Sequence, residues 1–327
     1  MLSSITPSDA WNLPPKQRLA FFLGQRPAVC RVAPSPTGHV HLGTVRTALH
    51  NFLAAKASGG TFFLRIDDTD RSRNDQSHVD LIHHSLATFG LLPDFSFHQS
   101  SRLSVHQQAA DALLKAGLAI PDGTAVRLKP NFVSNLPDRF FDLAAGICPI
   151  STTTAQQADG LVLLRSDGSP TYHFASVLDD IHAGTTLVLR GMDHLANTPK
   201  QILVAQALSS IDWPGASCFL QSVCFAHVGL IMKDGKKLSK RDGDSNVMAL
   251  LDSGICAGAL RQWCLMLGWG HPASDFDRQH PILSLSSMPS LFAQGGLRAI
   301  NSNLQPSKLL SLQRHWQKLH PVSPTVG

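Results

Sequence analysis

Two short segments of the chain combine residue types that could bind a nucleoside triphosphate. The first, 31–47, contains the Pro/Gly-rich turn 34–38 and then a His-x-Gly at His41, where a helix is predicted to begin. The second, 237–241, reads Lys-Leu-Ser-Lys-Arg. A helix N-terminus offers unpaired N–H groups and a positive dipole end to phosphate, and lysine side chains neutralise phosphate charge. The two segments therefore predict an ATP-binding site.

Particular positions in these segments suit particular contacts. A turn of small and cyclic residues lets the backbone approach the phosphates, and a histidine in the first helical turn can donate to a phosphate oxygen. Lysines could stabilise charge on the transferring phosphoryl group, although a solvated basic hairpin would have the same composition. The candidate ATP-binding residues here are Pro34, Gly38, His41, Gly43, Lys237, Lys240 and Arg241, of which His41, Lys237 and Lys240 are the candidate catalytic residues.

The first segment belongs to an alternation of predicted strands and helices. In chain order these are strand 28–32, helix 41–57, strand 61–66, helix 76–89 and helix 103–116. Gly59-Gly60 ends the first helix, and Asp67-Asp-Thr-Asp70 follows the second strand. This order predicts a parallel sheet with right-handed crossovers and ligands bound at the carboxyl ends of its strands. We expect an α/β fold with a Rossmann-like doubly wound sheet.

Five regions are predicted along the chain. They are an N-terminal extension (1–29), the first half of a nucleotide-binding catalytic domain (30–120), a short inserted subdomain (121–159), the second half of the catalytic domain (160–235), and a lysine loop with a C-terminal helical region (236–327). The extension is expected to be loosely ordered, with one short helix near 16–23. Strands are predicted at 160–165 and 186–190, a hairpin turning at Asp234-Gly235, and helices at 199–208, 246–253, 257–267 and 308–318.

Composition narrows the class of protein. A net charge of +5 and a pI of about 9.0 favour an anionic partner such as RNA or a nucleotide, although many other proteins share them. The six cysteines form no Cys-x-x-Cys, which argues against both a disulfide framework and a structural zinc. No uninterrupted apolar window of membrane-spanning length and no secretory signal pattern is visible, so we expect a cytoplasmic protein that does not contact membranes.

The two segments resemble the two signature sequences of class I aminoacyl-tRNA synthetases, and their surroundings resemble glutamyl-tRNA synthetase. The matching segments, in order, are Arg46-Thr-Ala-Leu-His-Asn51, Leu64-Arg-Ile-Asp67-Asp-Thr-Asp70, Leu163-Leu-Arg-Ser-Asp-Gly-Ser-Pro-Thr-Tyr172-His173, and Leu189-Arg190-Gly-Met-Asp193-His194. The resemblance extends from about Arg31 to about Trp316. It implies activation of glutamate by ATP, with Mg²⁺ held mainly through the phosphates, and transfer to tRNA. We expect the protein to be a monomer.

The resemblance also implies a glutamate pocket. Its residues would be Arg31, Ser35, Asp67, Tyr172 and Arg190. Arg190 would bind the side-chain carboxylate, because the planar guanidinium pairs with carboxylate through two parallel hydrogen bonds. Asp67 would bind the substrate ammonium group, while Ser35 and Tyr172 would add hydrogen bonds. Asp193 and His194 would lie on the adenosine side of the site. No protein-bound metal is expected.

Three departures from the family leave the function open. Asp67 stands where the family usually has Glu, which removes about 1.5 Å of reach. The inserted subdomain is shorter than in full synthetases and lacks the zinc cysteines of some members, and we expect no anticodon-binding region. One alternative is therefore a glutamyl-queuosine tRNA(Asp) synthetase, or glutamyl transfer to a non-RNA acceptor. Another is a catalytically weak paralogue that binds RNA or a partner protein.

Overall fold

The structure, a computed structural model, describes residues 12–70, 74–238, 246–270 and 282–320. Its helices are α1 Pro15–Gln25, α2 Leu42–Ser58, α3 Gln76–Thr88, α4 Leu103–Lys115, α5 Thr152–Ala158, α6 Tyr172–His182, α7 Thr198–Ser209, α8 Ala216–Ser222, α9 Val247–Asp252, α10 Ala257–Met266, α11 Met288–Gln294 and α12 Pro306–Leu319. Its strands are β1 Val29–Val32, β2 Thr61–Ile66, β3 Phe95–His98, β4 Ala119–Asp122, β5 Ala125–Leu128, β6 Arg139–Asp142, β7 Gly146–Pro149, β8 Val162–Leu164, β9 Leu187–Gly191, β10 Cys224–Val228, β11 Ile231–Lys233, β12 Lys236–Lys237, β13 Trp269–Gly270, β14 Gly296–Leu297 and β15 Ser302–Asn303.

Two groups of parallel strands form the centre of the molecule. One has the order β1-β2-β3, and the other has the order β7-β6-β10-β9, with only β7 antiparallel to its neighbour. The backbone N–H of Thr186, just before β9, donates to the carbonyl of Val29 in β1 at 2.9 Å and joins the two groups. The strand order is therefore β3-β2-β1-β9-β10-β6-β7. The predicted Rossmann-like α/β architecture is confirmed.

Helix α2 forms the base of the site, and its boundaries have local causes. His41 precedes it in an extended conformation, and its ring accepts a hydrogen bond from the backbone N–H of Thr44. Gly59 ends it in the left-handed conformation, with φ of 65°, which glycine adopts without steric cost. At Gly60 a Cβ atom would lie 2.2 Å from the carbonyl oxygen of Ala28, so only glycine lets β2 start this close to β1.

The N-terminal segment is more ordered than expected from residue 15 onward. Helix α1 buries Leu19, Phe22 and Leu23, which are spaced so that they share one helical face. These side chains belong to the main hydrophobic core, and α1 packs against α11 and β14. The short helix predicted near 16–23 is therefore present, and it is docked on the core instead of lying in a loose extension, because its apolar face is buried.

The region predicted as an inserted subdomain divides between two sheets. β4, β5 and β8 form a small antiparallel sheet, so the strand predicted at 160–165 does not join the parallel sheet. β6 instead runs parallel to β10, with Asp142 opposite Phe225. Phe140 and Phe141 are both buried, on opposite faces of the strand. Residues 139–149 therefore extend the central sheet, because burial of both faces is what a strand within a layered sheet provides.

The C-terminal part is helical, as predicted, and begins after a short hairpin. Strands β11 and β12 pair antiparallel around Asp234 and Gly235, whose φ values of 50° and 75° suit a tight primed turn. Helix α10 packs against both α2 and α12. Among the described residues, no helix is long and apolar enough to cross a membrane.

Candidate functional site

A cavity of about 930 Å³ opens where β1, β2 and β9 end. Of the predicted site residues, those that line it are Arg31, Pro34, Ser35, Gly38, His41, Gly43, Asp67, Tyr172, Arg190, Asp193 and Lys237. The predicted residues Lys240 and Arg241 lie outside the described residues. The first segment and the described end of the lysine segment therefore face one cavity, although they are far apart in the chain.

His41 caps helix α2 and does not lie within its first turn. The backbone N–H of Thr44 donates to its Nδ1 at 3.3 Å. In the neutral ring, an accepting Nδ1 leaves the proton on Nε2, which is then the donor of this imidazole. A Cβ on residue 43 would lie 2.9 Å from the His41 ring, so Gly43 makes room for the cap. The His-x-Gly spacing thus has a steric cause.

The turn after β1 is tied to the end of β2. The backbone N–H of Asp67 donates to the carbonyl of Pro34 at 3.0 Å, and Thr37 N–H donates to the carbonyl of Ser35 at 2.9 Å. Gly38 has a φ of 150°, outside the range that side-chain-bearing residues favour. This turn therefore carries its glycine for conformational reasons and lies beside the Asp67 carboxylate.

Four buried charges form a neutral cluster at the inner wall of the cavity. Arg31 pairs with Asp180 through two hydrogen bonds of 2.8 and 3.0 Å. Arg65 pairs with Asp67 at 2.6 and 3.3 Å and with Asp180 at 3.0 Å. Burial disfavours the charge of Arg65, but the two carboxylates outweigh it and raise the pKa of this guanidinium. Two arginines and two aspartates thus balance one another.

Asp67 contacts Arg65 although aspartate has a shorter side chain than glutamate. The sequence contains no glutamate at all, so each of its 23 acidic residues is an aspartate. Asp67 lines the cavity while both of its oxygens contact Arg65. A carboxylate has about four lone-pair sites, so these contacts leave Asp67 acceptor capacity for further donors.

Arg190 is one of two buried guanidiniums of the cavity that have no carboxylate contact within the described ranges; the other, Arg46, donates to the carbonyl of Gly229 at 2.7 Å. The Arg190 side chain is 6% exposed, and burial lowers its pKa. Its Nε donates to His227 Nε2 at 3.0 Å, and one terminal nitrogen donates to Thr198 Oγ1 at 2.9 Å. Removing a cation from water without an anionic partner is costly, so Arg190 is suited to an anionic ligand.

Tyr172 and His194 border Arg190. The Tyr172 hydroxyl lies 3.5 Å from an Arg190 nitrogen and 3.3 Å from His194 Nδ1. Burial and the neighbouring Arg190 charge lower the pKa of His194 to about 4, so its ring is neutral at pH 7. The hydroxyl therefore sits between one cation and one neutral ring and can hydrogen-bond a ligand beside Arg190.

A salt bridge joins two of the predicted ATP-binding residues that line the cavity. Lys237 Nζ donates to Asp193 Oδ2 at 2.6 Å, and both side chains are partly exposed. Partial burial opposes ionisation of Asp193, but the Lys237 contact outweighs it and lowers the pKa of this carboxyl. Across 12–70, 74–238, 246–270 and 282–320, no group of three or more His, Cys, Asp or Glu side chains is arranged to hold a metal ion.

The sequence reasoning missed several residues that hold the site together. Arg65 lies inside the matching segment 64–70 without a predicted role, and Asp180, His227 and Thr198 are not among the predicted site residues. For His227 the available signal was the apolar run 224–228, which forms β10 and was not predicted as a strand. For Asp180 no local signal exists, because its partner Arg31 is 149 residues away.

The chain is similar in sequence to known tRNA synthetases. The family described as "tRNA synthetases class I (E and Q), catalytic domain" matches residues 28–125 and 121–283. A glutamate–tRNA ligase from Nitrosomonas eutropha is 35% identical over 324 residues, covering 88% of this chain and 66% of the relative. One from Nitratidesulfovibrio vulgaris is 36% identical over 332 residues, covering 90% of this chain and 67% of the relative. The chain spans about two thirds of the length of these curated relatives.

Solved structures of tRNA ligases are similar to this chain as well. A crystal structure of a glutamate tRNA ligase from Elizabethkingia meningosepticum, in complex with its amino acid, superposes with a TM-score of 0.74 at 26% identity. The similarity covers 89% of this chain and 70% of that one. A methionyl-tRNA synthetase from Mycobacterium tuberculosis shares the fold alone, with a TM-score of 0.53 at 10% identity.

Proposed function

Because the chain belongs to the class I tRNA synthetase family for glutamate and glutamine, we propose that it activates glutamate with ATP and transfers the glutamyl group to tRNA. One observation carries this proposal. A single cavity is lined both by a buried guanidinium without a carboxylate contact in the described chain, Arg190, and by a helix N-terminus with a lysine, Lys237. An anionic amino acid and a triphosphate are the ligands that such a cavity suits.

In this proposal the amino acid binds at the inner wall. Arg190 and Tyr172 receive the side-chain carboxylate of glutamate, and Asp67 receives the ammonium group. Ser35 adds a hydrogen bond, and Arg31, whose charge is balanced by Asp180, adds a donor from the nitrogen that Asp180 does not contact. The α-carboxylate is then the group left facing the nucleotide. It is ionised at pH 7, so it needs no general base to act as a nucleophile.

The nucleotide end of the site stabilises the transferring group. The α-carboxylate oxygen forms a bond to the α-phosphorus of ATP, and the bond from that phosphorus to the bridging oxygen breaks, releasing pyrophosphate. His41, the N–H groups at the start of α2, and Lys237 with Lys240 stabilise the negative charge that develops. Pro34, Gly38 and Gly43 let the backbone approach the phosphates, while Asp193 and Arg241 bind other parts of ATP. When bound, Mg²⁺ would be held mainly by the phosphates of the nucleotide and would neutralise part of their charge.

The test is ATP–pyrophosphate exchange that depends on glutamate. Purified protein is assayed with and without total tRNA, with aspartate and glutamine as control amino acids. Exchange that occurs with glutamate but not with aspartate or glutamine supports glutamate activation. A protein that shows no exchange and binds no glutamate under any condition overturns it. Exchange that requires tRNA supports transfer to a tRNA end. Exchange without tRNA directs attention to queuosine or to a non-RNA acceptor, which mapping of radiolabelled glutamate on total tRNA then resolves.

A further inference from the structure

A row of buried polar side chains crosses three neighbouring strands and ends at Arg190. Asp142 closes β6, His227 lies in β10 and Arg190 lies in β9. These strands are adjacent and parallel, and His227 stands directly opposite Arg190 in the register. Asp142 and His227 are both 0% exposed, so neither contacts the cavity directly. Their contribution to the site therefore passes through Arg190 and through Thr198, whose Oγ1 lies 3.3 Å from His227 Nε2.

The hydrogen bonds of Asp142 decide which nitrogen of His227 carries the proton. One oxygen of Asp142 accepts from the backbone N–H groups of Ala144, Ala145 and His227 at 2.9, 2.8 and 3.1 Å. Its other oxygen lies 2.6 Å from His227 Nδ1. A carboxylate that receives four such contacts acts as an acceptor only, so Nδ1 must be the protonated, donating nitrogen.

The opposite nitrogen of His227 must then accept. Burial lowers the pKa of His227 even though Asp142 opposes this, so the ring is neutral. With the proton on Nδ1, the lone pair of Nε2 receives the N–H of Arg190 Nε at 3.0 Å. Thr198 Oγ1 holds one terminal nitrogen of the same guanidinium at 2.9 Å. Two of the three nitrogens of the fork are thus fixed by neutral acceptors.

This anchoring differs from that of the other two arginines at the inner wall. Arg31 and Arg65 are held by carboxylates, which cancel their charges. Arg190 is held by an imidazole and a hydroxyl, so its orientation is fixed while its positive charge remains available to a ligand. We propose that Asp142 and His227 are positioning residues that fix the direction and preserve the charge of Arg190, and that this pair sets the preference for an anionic over an amide side chain. This inference rests on the proposed function, because it takes the ligand of Arg190 to be the amino acid side chain.

Two substitutions at His227 separate positioning from packing. In His227→Gln the amide reaches the former place of Nε2, so an oxygen can still accept from Arg190, while the contact with Asp142 is lost. In His227→Asn the shorter amide reaches the place of Nδ1, so the contact with Asp142 is kept, while Arg190 loses its acceptor. The two variants therefore remove opposite halves of the row.

The readouts are the KM values for glutamate and ATP in exchange, the kcat, and equilibrium binding of radiolabelled glutamate and glutamine. We expect His227→Asn to raise the KM for glutamate by about tenfold or more, the usual effect of a lost hydrogen bond to a charged group. Its preference for glutamate over glutamine should fall by a similar factor, with the KM for ATP within about twofold of wild type, because the row does not contact the nucleotide end. His227→Gln should recover most of the affinity for glutamate.

His50→Gln is the control for destabilisation alone. His50 is also fully buried, but its ring contacts the carbonyl of Leu265 and not Arg190. It should lower the melting temperature without changing the KM for glutamate. Equal KM values for glutamate in wild type and His227→Asn, or equal impairment in His227→Asn and His227→Gln, would overturn the inference. Wild-type protein that binds glutamate without exchange would overturn the proposed function alone, and protein that binds no glutamate would overturn both.

Discussion

Lys237 and Asp193 form a salt bridge that joins the lysine hairpin to the segment following the Arg190 strand, with Nζ and Oδ2 2.6 Å apart. Both side chains are substantially exposed, at 56% and 37%. An ion pair of this exposure stabilises a fold by about 1 kcal/mol at most. The value of the contact therefore lies in placing a cation at the rim of the cavity rather than in stability.

Lys237→Met should reduce catalysis with little effect on folding. The variant removes a positive charge from the place where the phosphoryl charge develops, and such a loss costs about 10²–10³ in kcat. Exchange kinetics measure this, and thermal unfolding should change by no more than a few degrees. Lys236→Met is the matched control, because Lys236 belongs to the same hairpin but does not line the cavity. Equal losses in the two variants would contradict the assignment.

Arg190→Lys should weaken glutamate binding selectively. Lysine keeps the charge but loses the planar fork that His227 and Thr198 hold in place. We expect the KM for glutamate to rise about 10- to 100-fold, the range for a lost charged hydrogen bond, with the KM for ATP nearly unchanged. A parallel rise in both KM values would indicate a general collapse of the cavity instead.

Gly43→Ala should disturb the phosphate end through His41. The added Cβ would lie 2.9 Å from the His41 ring, which must then leave its capping position. Loss of a helix cap costs about 1 kcal/mol of the free energy of unfolding, and the KM for ATP should rise because the imidazole is displaced. Gly24→Ala is the control, because a Cβ there meets no atom within 4 Å. An unchanged KM for ATP in Gly43→Ala would show that His41 does not contact the nucleotide.

Mild acid should destabilise the fold through its buried histidines. The pKa of His194 is lowered to about 4, and that of His173 also to about 4, mainly by burial. In the unfolded chain these rings take up protons below about pH 6.5, whereas the folded rings do not. The free energy of unfolding should therefore be flat above pH 7 and fall as the pH drops toward 4.

Urea unfolding of wild type and His194→Gln at pH 7.5, 6.0 and 5.0 measures this effect. Each such histidine contributes up to about 1.4 kcal/mol per pH unit, so the variant should show a shallower slope between about pH 6 and pH 5. Identical slopes would mean that His194 titrates in the folded protein as it does in the unfolded chain.

The sequence predicted those parts of the fold that depend on local pattern. Helix α2 and strand β2 were predicted within a residue of their ends, because apolar spacing and Gly59-Gly60 are local signals. The partners of the buried charges were not predicted. Arg31 and Asp180 lie 149 residues apart, and Asp142 and His227 lie 85 apart. Only the folded sheet shows that these side chains meet, so the support of the site could not be derived from spacing.

The strands that were not predicted, β6 and β10, escaped prediction for one physical reason. Both strands are short and are covered on both faces, so their sequences do not show the alternation of apolar and polar residues that indicates a half-buried strand. The helix at α1 was predicted, but its docking was not, because whether an apolar face docks depends on what lies opposite it. The roles of the site residues within the signature segments are predicted from the resemblance to class I aminoacyl-tRNA synthetases, and they stay predictions.

Asp67 belongs to a sequence whose acidic residues are all aspartate. Ribosomes translating these 327 residues therefore never wait for glutamyl-tRNA(Glu). When glutamate starvation stalls elongation on other messages, it leaves the reading of these codons untouched. Under the proposed function, synthesis of these 327 residues therefore does not depend on the glutamyl-tRNA(Glu) whose supply the enzyme would maintain.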